Sequence, residues 1–136
     1  MKILMFYSPE FWFKTYEKVL PDVPVQDADT SVKNAVVVFY HAEAGDPERE
    51  GSVLKKFIKN IKWLAGKFGT TNVVLHSFNH LSTSKAPPDF TCSLIDNAKE
   101  RLAGSGFIIT ETPFGYLNAW KMHVAGESLA KVFKDI

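Results

Sequence analysis

The sequence predicts an α/β protein, a single compact domain in which helices pack on a mixed β-sheet. Three observations carry this reading. Continuous runs of β-branched and aromatic residues, such as Ala35–Tyr40 (AVVVFY), have the composition of buried strands. Val53, Leu54, Phe57, Ile58, Ile61, Leu64, Ala65 and Phe68 recur at three- and four-residue spacing, which gathers them on one face of an amphipathic helix. The elements also alternate as strand, strand, helix, strand, helix, strand, strand, helix, an order that reads as a mixed sheet with helices. At 136 residues the chain is one domain's worth. That length buries about two-thirds of the unfolded surface without help from a disulfide or a metal.

Each element has its own signal. Ile3–Tyr7 is a short apolar run that reads as a buried strand, while the aromatic-rich Phe11–Leu20 fits either an edge strand or a helical turn. Pro21, Pro24 and the polar stretch Gln26–Ser31 read as loop. Ala35–Tyr40 is the second strand, followed by a loop over His41–Asp46 in which Gly45 allows a turn. Gly69 ends the Val53–Phe68 helix, and Val73–Leu75 is a short buried strand leading into Ser77–Ser82 (SFNHLS). A second helix is expected after Pro87 and Pro88, capped by Asp89 and closed by Gly104, with Leu94, Ile95, Ala98 and Leu102 inward.

Phe107–Thr112 reads as a strand, and Pro113–Tyr116 as a tight connection into the strand Leu117–Val124. There Trp120, Met122 and Val124 share one face, and Lys121 and His123 the other. A last helix is expected from Glu127 or Ser128, with Leu129, Val132 and Phe133 inward. From its abrupt stop at Ile136, residues 1–136 are expected to be the N-terminal part of a longer chain.

Charge and composition exclude several classes. Sixteen basic against fifteen acidic side chains leave a net +1, so no global electrostatic grip on nucleic acid exists. Lys55, Lys56, Lys59 and Lys62 on the outer face of the first helix are either a solvated surface or an RNA-facing patch. Cys92 is the single cysteine, which rules out an intrachain disulfide and fits a reducing cytoplasm. The opening Met1–Ser8 is too short and wrongly flanked for a signal peptide, and no apolar run approaches the ~18 residues of a membrane span. A soluble, cytoplasmic protein is expected.

No standard catalytic signature is present: no GxSxG, P-loop, GxGxxG or HExxH. His41, His76, His80 and His123 lack metal-ligand spacing, so neither a metal nor another cofactor is expected. Cys92 falls within the second helix and reads as a structural thiol. Two segments stand apart from ordinary scaffold. SFNHLS, and TPFGYLNAWK over Thr112–Lys121, each place aromatic, glycine and polar residues at a strand end, where backbone N–H and C=O groups are free to meet a ligand.

These segments also carry a resemblance. An F-x-HLS segment followed by a PFGY-x-x-A-aromatic-K segment is similar to the N-terminal editing domain of archaeal threonyl-tRNA synthetases. The similarity extends from the MKILMFYS opening through VVVFYHAE and both helices to the closing GESLA. It implies a D-aminoacyl-tRNA deacylase-like fold and a homodimer that uses no cofactor. The implied partners are the acceptor end of tRNA(Thr) carrying serine and a synthetase catalytic domain, in cis or in trans.

The activity so implied is proofreading hydrolysis of L-seryl-tRNA(Thr). Serine lacks one methyl of threonine, and a site that fits threonine rejects serine by only about 1–3 kcal/mol. A second site that excludes threonine by clash reverses that weakness. The resemblance places Phe78, Asn79, His80, Phe114, Gly115, Tyr116 and Leu117 around the substrate, largely through their backbone, with Ala42 near the serine side chain. The 2′-OH of the terminal adenosine is implied to assist the attacking water, with His80 positioning the ribose or substrate.

The chain departs from the family pattern at Asn118, usually lysine, and at Lys131, usually acidic; Ser77 and Asn79 also differ from the commoner residues. The expectation is that Lys131, from the last helix, supplies the missing ammonium with Asn118 as its polar partner. His80, Asn118 and Lys131 are therefore the candidate catalytic set. Competing readings are a D-aminoacyl-tRNA deacylase and a non-catalytic module that dimerises or binds tRNA.

Overall fold

β1 (Lys2–Lys18) is far longer than the sequence predicts, and it organises the molecule. In the computed structural model, which describes residues 1–136, β1 pairs antiparallel with β2 (Asp29–His41) along nearly its whole length. The ambiguous Phe11–Leu20 segment is thus mostly strand. Asp29–Ser31, expected as loop, pairs with Lys14–Trp12. Midway, Pro9 and Asn34 lie opposite each other between the pairs Ser8–Ala35 and Glu10–Lys33. Proline has no N–H for the ladder, and Asn34 takes a left-handed φ of 51°.

At that point both strands change faces. Ile3 and Met5, with Val36 and Val38, pack in one core. Phe11 and Phe13, with Val32 against them, pack in the other, although a regular strand would keep Met5 and Phe11 on one side.

The remaining elements complete a curled mixed sheet. α1 (Glu50–Phe68) connects β2 to the parallel β3 (Asn72–Ser77), and α2 (Pro88–Gly104) connects β3 to the parallel β4 (Ile108–Glu111). β5 (Tyr116–His123) lies antiparallel to the far half of β1, giving the order β4-β3-β2-β1-β5. Both helices lie on one face. There Phe57, Ile61 and Leu64 of α1 and Leu94, Ile95 and Leu102 of α2 meet Ile3, Val38 and Leu75, all fully buried. The opposite face holds the smaller cluster of Phe11, Phe13, Val37, Phe39 and Val74.

Three local expectations are corrected. Asp89 does not cap α2: Pro87 holds the cap position without a side-chain hydrogen bond, and Asp89 sits in the first turn, where it complements the helix dipole. Gly104 is the last residue of that helix, and the left-handed residue beyond it is Gly106, with φ 89°. The expected last helix is absent. Ser128–Ala130 is a single 3-10 turn, and Lys131–Asp135 forms β6, antiparallel to Lys2–Phe6 of β1. Since β5 pairs with β1 only from Glu10 onward, the first residues of β1 would otherwise leave an open ladder, which β6 fills. Val132 packs on the main core, whereas Leu129 and Phe133 are exposed rather than inward.

Candidate active site

The two segments singled out in the sequence converge. The chain leaving β3 at Ser77 and the connection Thr112–Tyr116 into β5 border one cavity of about 540 Å³ at the ends of β2 and β3. Ala42, Phe78, Asn79, His80, Phe114, Gly115, Tyr116, Leu117 and Asn118 all line it. Lys131 does not. Its Nζ donates to the Ala125 carbonyl at 2.9 Å, and it faces Phe6 across β1, whereas Asn118 faces Thr15. Those partners are separated by roughly 30 Å of strand path at about 3.3 Å per residue. The expected partnership of Lys131 with Asn118 is therefore excluded by topology. Asn118 lines the cavity on the strand face of Trp120 and Met122, and that face turns toward the smaller core rather than toward a helix.

One wall is braced by the end of β2. Phe78 N–H donates to the Tyr40 carbonyl at 2.9 Å, extending the sheet by one bond past Ser77. The chain then turns sharply, with His80 N–H donating to the Phe78 carbonyl at 2.9 Å. His41, fully buried, accepts the Leu81 N–H at Nδ1 (3.1 Å) and places Nε2 2.6 Å from the Ser84 carbonyl. Ser82 Oγ donates to Glu43 Oε2 at 2.7 Å, and Ala86 N–H donates to the Ala42 carbonyl at 3.0 Å. Burial alone would raise the Glu43 carboxyl. The Ser82 hydroxyl, the N-terminal ammonium 3.1 Å away and Lys2 outweigh that effect and hold it down to about 2.

The other wall depends on close approach. Gly115 has φ 81°, and a Cβ there would stand 2.8 Å from a Val23 methyl, while its carbonyl accepts the N–H groups of Val19 (2.8 Å) and Leu20 (3.1 Å). Tyr116 uses its hydroxyl structurally, donating to the Pro24 carbonyl at 3.1 Å and accepting the Gln26 N–H at 2.8 Å. Asn118 Nδ2 donates to the carbonyls of Pro113 and Tyr116 at 3.3 Å each, which leaves its buried Oδ1 without a partner.

Two further lining residues were not singled out from sequence. His76 is buried among Phe11, Phe39, Phe78 and Trp120, with Nδ1 2.9 Å from Thr112 Oγ1. Burial lowers it to about 4, so its ring is neutral at physiological pH. Lys85 also borders the cavity. His80 is exposed, its ring edge-on to Phe78 at 4.9 Å. No carboxylate and no thiol lines the site, and Cys92 lies on α2, its thiol pushed up mainly by burial. The N–H groups of Asn79, Phe114 and Gly115 donate to no other group of the chain. No helix is long and apolar enough to cross a membrane.

The curled mixed sheet with two helices on one face has a D-aminoacyl-tRNA deacylase-like fold, with its cavity at the strand ends. The same fold is seen in the c-Myc DNA unwinding element binding protein, with a TM-score of 0.67 over 100% of this chain and 99% of that one at 10% identity. Within this class the chain belongs to the archaea-specific editing domain of threonyl-tRNA synthetase, whose family model matches residues 1–136.

Among its relatives are the threonine–tRNA ligases of Hyperthermus butylicus, 26% identical over 141 residues, and of Thermococcus onnurineus, 27% identical over 139 residues. The matches cover 99% and 100% of this chain but only 23% and 22% of those proteins. The chain thus spans just under a quarter of the length of these relatives.

Proposed function

We propose that the domain hydrolyses L-seryl-tRNA(Thr), releasing serine and tRNA(Thr) and sparing threonyl-tRNA(Thr). The observation that carries this reading is the convergence of Ser77–His80 and Phe114–Leu117, with Ala42, on one cavity. Both walls are held by backbone hydrogen bonds and by a glycine packed against Val23, so they yield little to an added methyl. A site of this kind admits a hydroxymethyl group and excludes the branched side chain of threonine by clash.

The chemistry falls to the substrate and the main chain. Water attacks the ester carbonyl carbon, the bond from that carbon to the ribose 3′-oxygen breaks, and the proton lost by the water ends on that oxygen. With no carboxylate or thiol lining the cavity, the adjacent 2′-OH is the group best placed to orient and polarise the water. The free N–H groups of Asn79, Phe114 and Gly115 are the candidate donors to the developing oxyanion. His80, at the exposed edge, positions the ribose. Asn118 offers its unpartnered Oδ1 to the substrate while its amide holds the Pro113 turn.

The partners in this reading are the acceptor end of tRNA(Thr) and the catalytic domain of the synthetase, with the editing domain acting as a homodimer. Incubating the protein with L-seryl-, L-threonyl- and D-aminoacyl-tRNA and following ester loss tests it. Loss of serine alone supports it, loss confined to D-aminoacyl esters makes the protein a chirality filter, and no loss leaves a binding module.

A further inference from the structure

We propose that Lys85 is the anionic anchor of the cavity, binding a phosphodiester of the RNA 3′ end; this rests on the aminoacyl-tRNA reading above. Lys85 is the one side chain lining the cavity that carries a full charge, and no acidic residue lines it in opposition. Its backbone is fixed from both sides. The preceding Ser84 is tied through its carbonyl to His41 at 2.6 Å and through its hydroxyl to the Ala44 N–H at 2.9 Å. The following Ala86 donates its N–H to the Ala42 carbonyl at 3.0 Å.

The residue is thus pinned to the end of β2, yet it is exposed and its ammonium has neither an ion pair nor a hydrogen bond. Two lysines elsewhere in the fold are differently disposed. Lys99 is held by Asp96 and Glu111, and Lys131 by backbone carbonyls. A free ammonium on a residue whose flanking backbone is held, at the border of a pocket lined by Phe78, His80 and Phe114, matches a nucleotide. Its base has rings to stack on, and its phosphate has a cation at the cavity's border.

A rim contact of this kind holds substrate and transition state alike, so it acts on KM and leaves kcat unchanged. The test compares wild type, Lys85→Gln and Lys85→Arg on seryl-tRNA(Thr), and in parallel measures binding of the RNA trinucleotide CCA and of adenosine, which lacks the phosphate. Lys85→Gln is expected to raise KM about three- to tenfold and to reduce the salt dependence of log KM by roughly 0.7, the slope of one single-strand phosphate contact. CCA affinity falls by the same factor, adenosine affinity is unchanged, and Lys85→Arg retains most of the wild-type values.

Unchanged KM and CCA affinity in Lys85→Gln overturn the anchor, as does a fall in kcat alone or an equal loss for adenosine. Failure of wild type to bind CCA overturns it too. If wild type binds CCA in a Lys85-dependent way but cleaves no ester, the anchor stands and the deacylase reading fails.

Discussion

His41 Nε2 lies 2.6 Å from the carbonyl oxygen of Ser84, while Nδ1 of the same ring accepts the Leu81 N–H at 3.1 Å. Because Nδ1 accepts, the ring proton resides on Nε2 and is donated to Ser84. One neutral, fully buried imidazole thereby replaces two backbone partners for a loop that has no sheet neighbour of its own. Replacing it with alanine leaves both backbone groups unpaired beside a void. We expect His41→Ala to lower unfolding stability by about 2–4 kcal/mol, read as a lower urea midpoint. Deacylation should fall with it at temperatures where the variant remains folded, because the Phe78–His80 wall loses its brace. Full activity in a folded variant would show that the loop holds its shape without the ring.

Gly115 presents a separate steric test. Its φ of 81° costs an L-residue about 1–3 kcal/mol, and the added Cβ would meet Val23 Cγ1 at 2.8 Å. Gly115→Ala should therefore destabilise the domain by about that amount and displace the carbonyl that holds Val19 and Leu20. Combining it with Val23→Ala relieves the clash but not the dihedral strain. The double variant should recover only part of the lost stability, as measured by thermal unfolding; complete recovery would assign the whole cost to the methyl contact.

His76 sets an acid limit on the fold. Burial lowers it from 6.5 to about 4 in the native state, so between those values the unfolded chain binds more protons than the folded one. Stability then rises with pH in that window: it is fully present above 6.5 and is lost as pH falls toward 4, to a total of about 3 kcal/mol. Glu43 acts in a different window. Its carboxyl is held to about 2, so its contribution persists above 4.5 and is lost only below that. Urea unfolding of wild type and His76→Phe at pH 7, 5.5 and 4.5 separates them, the variant having the flatter dependence over this range. Equal slopes would remove His76 from the account.

Lys131→Ala should leave deacylation within about twofold of wild type. The side chain ties the carbonyls of Ala125, Gly126 and Glu127 ahead of β6, and it lies at the opposite end of β1 from Asn118. The expected loss is about 1 kcal/mol or less of stability, since the contacts are partly exposed. A tenfold or larger drop in kcat in a normally stable variant would return Lys131 to the site.

Much of this molecule was legible from residue order. The inward faces of α1 and α2 and the short buried strand between them follow from local pattern, and the resemblance placed SFNHLS and TPFGYLNAWK around one substrate. What escaped depends on distant partners. Leu129, Val132 and Phe133 have helical spacing, yet the unpaired edge of Lys2–Phe6 draws that segment into a strand, a requirement no window around residue 130 contains. Likewise the change of face at Pro9 and Asn34 arises from two residues far apart in sequence meeting across a ladder. Lys85 sits in the patternless stretch STSKAPP, and its place is decided by bonds from its neighbours to His41 and Ala42.

The division of labour between His80 and the RNA makes the sharpest prediction. His80 is exposed, makes ring contact with Phe78, and has no hydrogen-bonded carboxylate to orient it, so it lacks the support usual for a general base. His76, the other histidine in the cavity, is bonded to Thr112 and enclosed by aromatic rings. If the ribose hydroxyl supplies the assistance, a seryl-tRNA(Thr) ending in 2′-deoxyadenosine should be cleaved at least about a hundredfold more slowly, the scale of a lost proton-handling group. His80→Ala should cost about tenfold or less, mainly in KM, as expected of a group that positions the ribose. Single-turnover assays over a pH series distinguish the two. The opposite pattern, with deoxy substrate cleaved at the normal rate and an acid limb that disappears in His80→Ala, would make His80 the base and confine the 2′-OH to binding.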